Sequence, residues 1–429
     1  MNAQALILPL VLAFVHCFTA PGFAHFAHFV LAHMALLGAP HCVTETLRLT
    51  QWHRVRHWTT PYAFLTRGRW SCRHVSQCLL DLLAQRLGPR EELVVALDDT
   101  LVKKWGRKFF GLGLYPDPTD KNPGARKRRV YGHCWVVVAL LWEYQAGHWV
   151  GFPLAALLFV PVALCSPTWP FLTKIDLATW LLRGLRWPAP RVVIVADNLY
   201  AKAQVAGLVL KQQRCVLVSR LRSNAALYLP PPPCARPRRG RPRVRGDKLT
   251  ARQLYRRRSQ RCHLTVAIYG KRVTIDAYVG VVIPSRRLGN EGMRVVLFPQ
   301  RSGRKMNIFF TTDLRMPPER LLELYAARFK IEDCFDELKT VGGFADCRQR
   351  AFPALKRHAT LCLVAYSLLR LVSVTLKGAA AIEAEPWWCP VGPPSVTRLR
   401  RAVFKALRIS GDLHAAPKVK ANISLKEAA

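Results

Sequence analysis

Four polar side chains share one face of the strongest helix pattern in the chain, residues 321–340. At about 100° per residue, Tyr325, Arg328, Glu332 and Lys339 project within an arc of roughly 60°. The apolar residues of this window repeat on the adjacent face, so the helix is expected to dock on a core. A carboxylate beside fixed cations can belong to a site that handles charged ligands, or it can form an ordinary i,i+4 ion pair in solvent. The pattern alone leaves both interpretations open.

Two further acidic positions follow apolar runs of strand length. Residues 93–97 are continuously apolar and lead into Asp98 and Asp99, and residues 190–196 lead into Asp197. In α/β sheets ligands gather at the carboxyl ends of the strands. Neighbouring side chains on a strand point to opposite faces, so Asp98 and Asp99 cannot both face one site. Each aspartate alone could equally be a turn or capping residue.

The Tyr-x2-Arg-x3-Glu-x6-Lys spacing resembles the hallmark of a large group of bacterial insertion-sequence transposases of the DDE class. The resemblance implies two catalytic aspartates on strands of an RNase H-like sheet and a glutamate on a helix, with a β-rich insertion between the second and third acids. It assigns these roles to Asp98, Asp197 and Glu332. A Thr or Ser follows the first acid at +2 in that pattern, so Thr100 favours Asp98 over Asp99.

Three carboxylates brought together repel one another and favour hard cations. Two Mg²⁺ ions about 4 Å apart, with Mn²⁺ as a substitute, would supply the charge for in-line displacement at phosphorus. The resemblance implies that this chemistry cuts the ends of the protein's own insertion element and joins them to target DNA. Arg328 and Lys339 would then hold phosphates, and Tyr325 would contact the DNA end. Asp336, one turn after Glu332, is the alternative third acid.

The charge balance points independently to a polyanionic partner. Lys and Arg total 65 against 26 acids, which gives a formal net charge of +39 and a pI near 10.6. The loop 101–130 carries nine Lys or Arg against two acids and is suited to a phosphate backbone, although it could be merely solvated. In the basic segment 236–261, Arg239 and Arg241 form an Arg-Gly-Arg-Pro sequence similar to a minor-groove clamp.

Membrane association is the alternative explanation of a basic chain. The apolar run 5–20 is about 16 residues long, short of the ~20 needed to cross a bilayer, and no Lys or Arg precedes Arg48. We expect a buried helix there and no long spanning segment. The thirteen cysteines are scattered without a Cys-x2-Cys pair, which predicts reduced thiols in the cytoplasm and argues against disulfides or a structural zinc site.

The order of patterns predicts an α/β protein: an RNase H-like catalytic core with a β-rich insertion, preceded by an all-helical N-terminal domain. Strand, helix and strand patterns alternate from residue 91 to 220, and four β-rich segments follow between 262 and 312. The expected divisions are a helical, possible DNA-contacting domain (1–90), the first part of the core (91–220), the basic insertion (221–312), the rest of the core (313–385) and a basic tail (386–429).

Two functions of different classes therefore compete. The first is a transposase that acts on element ends and target DNA, expected as a homodimer because two ends must be paired. The second is a catalytically inactive, sequence-specific DNA-binding derivative of such an enzyme. The separation of the three acids in the folded chain discriminates between them.

Overall fold

The computed structural model describes residues 3–409 with ten gaps. The gaps are 121–127, 168, 203, 208–213, 233–242, 269, 285–290, 301, 304 and 376–394. Arg239 and Arg241 fall within one of these gaps, so the predicted minor-groove clamp lies outside the described residues. Much of the basic tail after residue 386 lies outside them as well.

Helices dominate the first ninety residues and surround the sheet elsewhere. The α-helices are α1 (Ala3–Leu12), α2 (Ala20–Ala35), α3 (Val43–Thr50), α4 (Thr59–Thr66), α5 (Cys72–Leu87), α6 (Lys174–Gly184), α7 (Ala251–Tyr255), α8 (Pro318–Ala327), α9 (Lys330–Thr340), α10 (Phe352–Thr375) and α11 (Val396–Ile409). Local sequence sets their ends. For example, the Ser71 hydroxyl accepts from His74 N at the start of α5, and Gly88 ends it with a φ of 91°.

The strands form one large mixed sheet. They are β1 (Glu92–Lys103), β2 (Gly113–Pro116), β3 (Arg129–Gln145), β4 (His148–Phe159), β5 (Arg191–Ala196), β6 (Cys215–Leu221), β7 (Leu227–Tyr228), β8 (Lys248–Leu249), β9 (Arg261–Ile268), β10 (Lys271–Pro284), β11 (Met293–Pro299) and β12 (Met306–Thr311). The centre of β1 is buried on both faces, as its unbroken apolar run predicts.

Strand order places the predicted parallel members side by side. β1 pairs antiparallel with β3 and parallel with β5, and β5 pairs parallel with β6. β4 lies on the far side of β3. The later β-rich segment extends this same sheet, because β12 pairs antiparallel with β6 and is followed by β11 and β10. A mixed α/β architecture is therefore confirmed.

The longest helix, α10, packs among the N-terminal helices and the sheet. It contacts α2, α4, α5 and β4. Its length and composition would suffice to cross a membrane. However, 83% of its most apolar window is buried inside the protein. This burial explains its apolar composition as that of a core helix.

The predicted single helix 321–340 is wrong in one respect: it is divided into α8 and α9. At the junction Phe329, Ile331 and Glu332 donate their backbone N–H groups to carbonyls three residues earlier, at 3.1, 3.0 and 2.9 Å. These tighter turns interrupt the i to i−4 pattern of an α-helix, although Arg328 and Phe329 keep helical dihedral angles. The backbone is therefore more tightly wound between Arg328 and Glu332.

Candidate active site

Strand register brings two of the predicted acids to adjacent positions. In the parallel pair β1 and β5, Leu97 lies opposite Ala196. The next residues are Asp98 and Asp197, so both lie just beyond the parallel pairing, at the same edge of this part of the sheet. Asp197 follows β5, but β1 continues to Lys103 in antiparallel pairing with β3, so the prediction that Asp98 ends its strand was wrong. The two carboxyl groups interact electrostatically, and the charge of Asp197 contributes to the raised pKa of Asp98. This proximity results from two buried apolar runs pairing in parallel.

The α8–α9 segment brings the third acid to the same edge through an arginine. Arg328 donates one guanidinium nitrogen to Asp98 Oδ2 and the other, at 2.7 Å, to Glu332 Oε1. The Arg328 side chain is 12% exposed and therefore forms a largely buried bridge between the two carboxylates. Tyr325 donates its hydroxyl to Asp197 Oδ1 at 3.4 Å, and Arg220 lies 3.4 Å from the same oxygen. Tyr325 and Arg328 thus contact the acids at the sheet edge, and Glu332 is linked to Asp98 through Arg328.

The Asp98 carboxyl group is largely buried, and its surroundings change its pKa. Burial raises its pKa to about 6, and the nearby charges of Asp99 and Asp197 act in the same direction. The Arg328 guanidinium and the backbone N–H of Asp99, which donates to Asp98 Oδ1 at 2.9 Å, act in the opposite direction. A buried carboxylate with such a pKa gains from any added cation.

Asp99 belongs to a different cluster, as alternation along β1 requires. Its Oδ2 accepts from Lys174 Nζ at 2.6 Å and from the Cys134 thiol at 3.4 Å, while its Oδ1 accepts from the Tyr200 hydroxyl at 2.9 Å. The Tyr200 backbone N–H in turn donates to the Asp197 carbonyl at 2.9 Å. Asp99 therefore anchors the turn that carries Asp197. The sequence analysis missed Lys174 and Tyr200, since nothing in their local patterns indicates the contact.

Other predicted site residues lie farther from the acids. Lys339 pairs with Asp336 at 3.5 Å, and neither makes a described contact with the acids at the sheet edge. The Asp336 side chain is 82% exposed, which disfavours it as the third acid. Thr100 is buried two residues along β1 from Asp98. Its burial is compatible with a packing role.

The basic loop beside β1 exposes an aromatic ring among cations. Trp105 is 91% exposed, and Arg107 and Lys108 follow it in the exposed part of the loop. Lys104 instead turns inward and donates to the carbonyls of Ala345 and Cys347 at 2.6 and 3.0 Å. The loop is thus attached at one end and presents its ring and positive charges to solvent at the other.

The donor set at the sheet edge consists of carboxylate oxygens, which suit hard divalent cations. Among the described residues, Asp98, Asp197 and Glu332 do not form a set whose ligand oxygens all lie within 4.8 Å of one another. Asp98 is the central member: it neighbours Asp197 through the sheet and shares Arg328 with Glu332. The guanidinium provides the positive charge between these two acids.

Comparison with protein families gives a match to most of the chain. The model of the family described as DDE superfamily endonuclease matches residues 13–274. This range contains Asp98 and Asp197 and ends before Glu332. No curated protein matches the chain. Since the family match extends over more than half of the sequence, the chain belongs to the DDE superfamily endonucleases.

Proposed function

We propose that this protein is a DNA transposase of the bacterial insertion-sequence type, which cuts the ends of its own element and joins them to target DNA. Membership of the DDE superfamily endonucleases supports a nuclease-type enzyme that acts on DNA. The Tyr-x2-Arg-x3-Glu-x6-Lys spacing supports the narrower assignment. The formal net charge of +39 is consistent with a DNA substrate.

The observation that carries the proposal is the convergence of three distant acids at one sheet edge. Asp98 lies within β1, directly after its parallel pairing with β5 ends, and Asp197 directly follows β5. Glu332 lies on a helix, and Arg328 links it to Asp98. Two acids on neighbouring strands and a third on a helix are the placement that the resemblance implies for an RNase H-like core. The β-rich segment between Asp197 and Glu332 also has the expected place in the chain.

The residues fit a divalent-metal site in charge and in donor type. DDE superfamily endonucleases generally use divalent metals, and the three acids would hold Mg²⁺ or Mn²⁺ here. Asp98, Asp197 and Glu332 would provide the oxygen ligands for the two ions that the resemblance implies. Such ions supply charge that activates water and stabilises the leaving oxygen of an in-line displacement at phosphorus.

Side chains of this protein would bind the DNA and orient it at the metal ions. Arg328, once freed from the two carboxylates, would reach a phosphate next to the cleaved bond, because its guanidinium forms bidentate contacts with phosphate oxygens. Tyr325 would contact the terminal nucleotide, and Lys339 would bind the backbone farther along the helix. Exposed Trp105 and Arg107 would contact DNA that leaves the site. A homodimer would pair the two element ends.

A cleavage assay tests the proposal. The purified protein is incubated with labelled DNA that contains the end of its own element and the flanking sequence, with and without Mg²⁺. We expect metal-dependent nicking at the element end, which Glu332→Gln abolishes while binding of the DNA is kept. Asp336→Asn is the matched control, because Asp336 is on the same helix and exposed, and it should cleave like the wild type.

Two results would contradict the proposal. Tight, sequence-specific binding without cleavage under any divalent metal would favour the inactive DNA-binding derivative. Cleavage that survives Glu332→Gln but is lost in Asp336→Asn would show that the third acid is assigned to the wrong residue.

A further inference from the structure

A second group of metal-ligating side chains lies in the N-terminal region, away from the acids. His16 and Cys17 belong to the short 3-10 helix Val15–Cys17 that follows α1, and His74 lies on the first turn of α5. One ligand atom from each of these three residues lies within 4.8 Å of the other two. The His16 and His74 rings are 5.5 Å apart between centroids. Three good ligands for a transition metal therefore converge from two separate segments.

A fourth ligand stands next to this group. Cys78 follows His74 by four residues on α5, so both side chains lie on one face of the helix. The Cys78 thiol interacts with that of Cys17 and donates to the Ala13 carbonyl at 3.4 Å. Cys78 lies just outside the group of three whose ligand atoms are all within 4.8 Å of one another. Zinc binds cysteine in the thiolate form.

We propose that His16, Cys17, His74 and Cys78 bind one Zn²⁺ ion in a tetrahedral structural site. Two thiolates and two imidazoles are a preferred ligand set of zinc, and four protein ligands leave no position open for catalysis. Binding would release a proton from each cysteine that is still a thiol, and the two thiolate charges would balance the charge of the ion. The cysteines are buried and the histidines exposed, so an ion could enter from the histidine side.

The consequence for the fold is a link between the end of α1 and the first turns of α5. α5 packs on α10 and on β4, the strand next to β3 in the main sheet. A zinc ion would therefore fix the N-terminal helix to the layer that supports the catalytic sheet. The sequence predicted no structural zinc site because it has no Cys-x2-Cys pair. In the proposed site, each of two segments far apart in sequence supplies one histidine and one cysteine, so such a pair is not needed. The proposed site would overturn that prediction.

Another candidate cluster, His33, His358 and Cys362, fits a metal less well. Its ligand atoms also lie within 4.8 Å of one another, but the group is fully buried. The positive charge of Arg400 acts on His33, and that of Lys104 acts on His358 and Cys362. These cations oppose a further positive ion. This cluster is the alternative metal-binding site in the test below.

The test measures the metal content of the full-length protein purified under reducing conditions. We expect about one zinc per chain in the wild type and its loss in His16→Gln and His74→Gln. These two histidines are exposed, so the variants should keep the wild-type circular dichroism spectrum. Affinity for added zinc should fall by more than about 100-fold, since the loss of an outer partner alone costs 10–100-fold. His57→Gln, an exposed histidine of the same region, should retain the metal.

Cobalt substitution tests the two thiolates directly. Protein loaded with Co²⁺ should show a thiolate-to-cobalt charge-transfer band that Cys17→Ser and Cys78→Ser each weaken. Cys72→Ser is the matched control, because Cys72 is equally buried on the same helix, and it should leave the band intact. Excess Mg²⁺ should not remove the band, because the site is separate from the catalytic acids. Glu332→Gln should retain it for the same reason.

Three outcomes would overturn the proposal. The first is the absence of stoichiometric zinc or cobalt binding by the reduced, folded protein. The second is a metal that survives His74→Gln, which would indicate another cluster. The third is a disulfide between Cys17 and Cys78 in the protein as isolated, detected as two thiols that do not react until reduced. None of these outcomes depends on whether the protein cleaves DNA.

Discussion

Replacing Arg328 with glutamine should shift the pH dependence of DNA cleavage. Arg328 bridges Asp98 and Glu332 and is largely buried. Burial raises the pKa of Asp98 to about 6, and the Arg328 cation is the strongest influence that opposes this rise. A neighbouring arginine lowers a carboxyl pKa by roughly one to three pH units. Without it, the pKa of Asp98 should rise to roughly 7–9.

The direction of the effect follows from the form of Asp98 that binds a metal. Only the carboxylate is a good Mg²⁺ ligand, so wild-type cleavage should fall as the pH drops through about 6. In Arg328→Gln the corresponding fall should begin one to three pH units higher. At pH 7 the variant would then have Asp98 largely protonated and would need more Mg²⁺ to reach half of its maximal rate.

The assay is a pH–rate profile of end cleavage at a subsaturating Mg²⁺ concentration. We compare the pH at which the cleavage rate falls on the acid side of the profile (the acid limb). The maximal rate is not compared, because it also reflects lost phosphate contacts. Lys339→Gln is the control: Lys339 is on the same predicted face but contacts Asp336, so it should lower DNA affinity without moving the limb. An acid limb at the same pH in wild type and Arg328→Gln would refute the assignment of Arg328 as the charge partner of Asp98.

Three further substitutions test an anchoring hydrogen bond, a DNA contact and a strained glycine. Tyr200→Phe removes the hydroxyl that donates to Asp99 at 2.9 Å, and chemical denaturation should show a loss of about 1.5–3 kcal/mol in the free energy of unfolding; an unchanged value would contradict this anchor. Trp105→Ala should weaken DNA binding in a gel-shift titration and leave thermal stability unchanged, since the ring is 91% exposed. Gly343→Ala should lower the melting temperature, because Gly343 has a φ of +74° and an added Cβ would lie 2.3 Å from His41; equal melting temperatures would contradict the predicted strain.

The positions of β1 and β5 were predictable because burial on both faces leaves a clear pattern in the sequence. The apolar runs before Asp98 and Asp197 predicted the two strands, and their parallel register places these acids side by side. The continuation of β1 beyond Asp98 to Lys103 was not predicted. The polar face of residues 321–340 similarly predicted that Tyr325, Arg328 and Glu332 lie on one side, and these residues are linked to Asp98 and Asp197. Lys339 of the same face pairs with Asp336 instead, so local periodicity was sufficient for only part of this face.

Contacts between distant segments were not predictable in this way. The bridge from Arg328 to Asp98 and the bonds from Lys174 and Tyr200 to Asp99 depend on how strands and helices pack, which no local pattern specifies. The overwound turn between α8 and α9 was also missed, because its residues keep good helix-forming sequence. The extension of the sheet through β12 and β6 depends on pairing of segments about ninety residues apart.

The measurement that most directly tests the central claim is affinity cleavage of the protein by bound Fe²⁺ in place of Mg²⁺. Hydroxyl radicals formed at the metal cut the nearby backbone, and peptide mapping locates the cuts. We expect cuts near residues 98, 197 and 332 together, all suppressed by excess Mg²⁺ and all reduced in Asp98→Asn. Mg²⁺-sensitive cuts at one or two of these segments and none at the third would contradict a single site formed by the three acids.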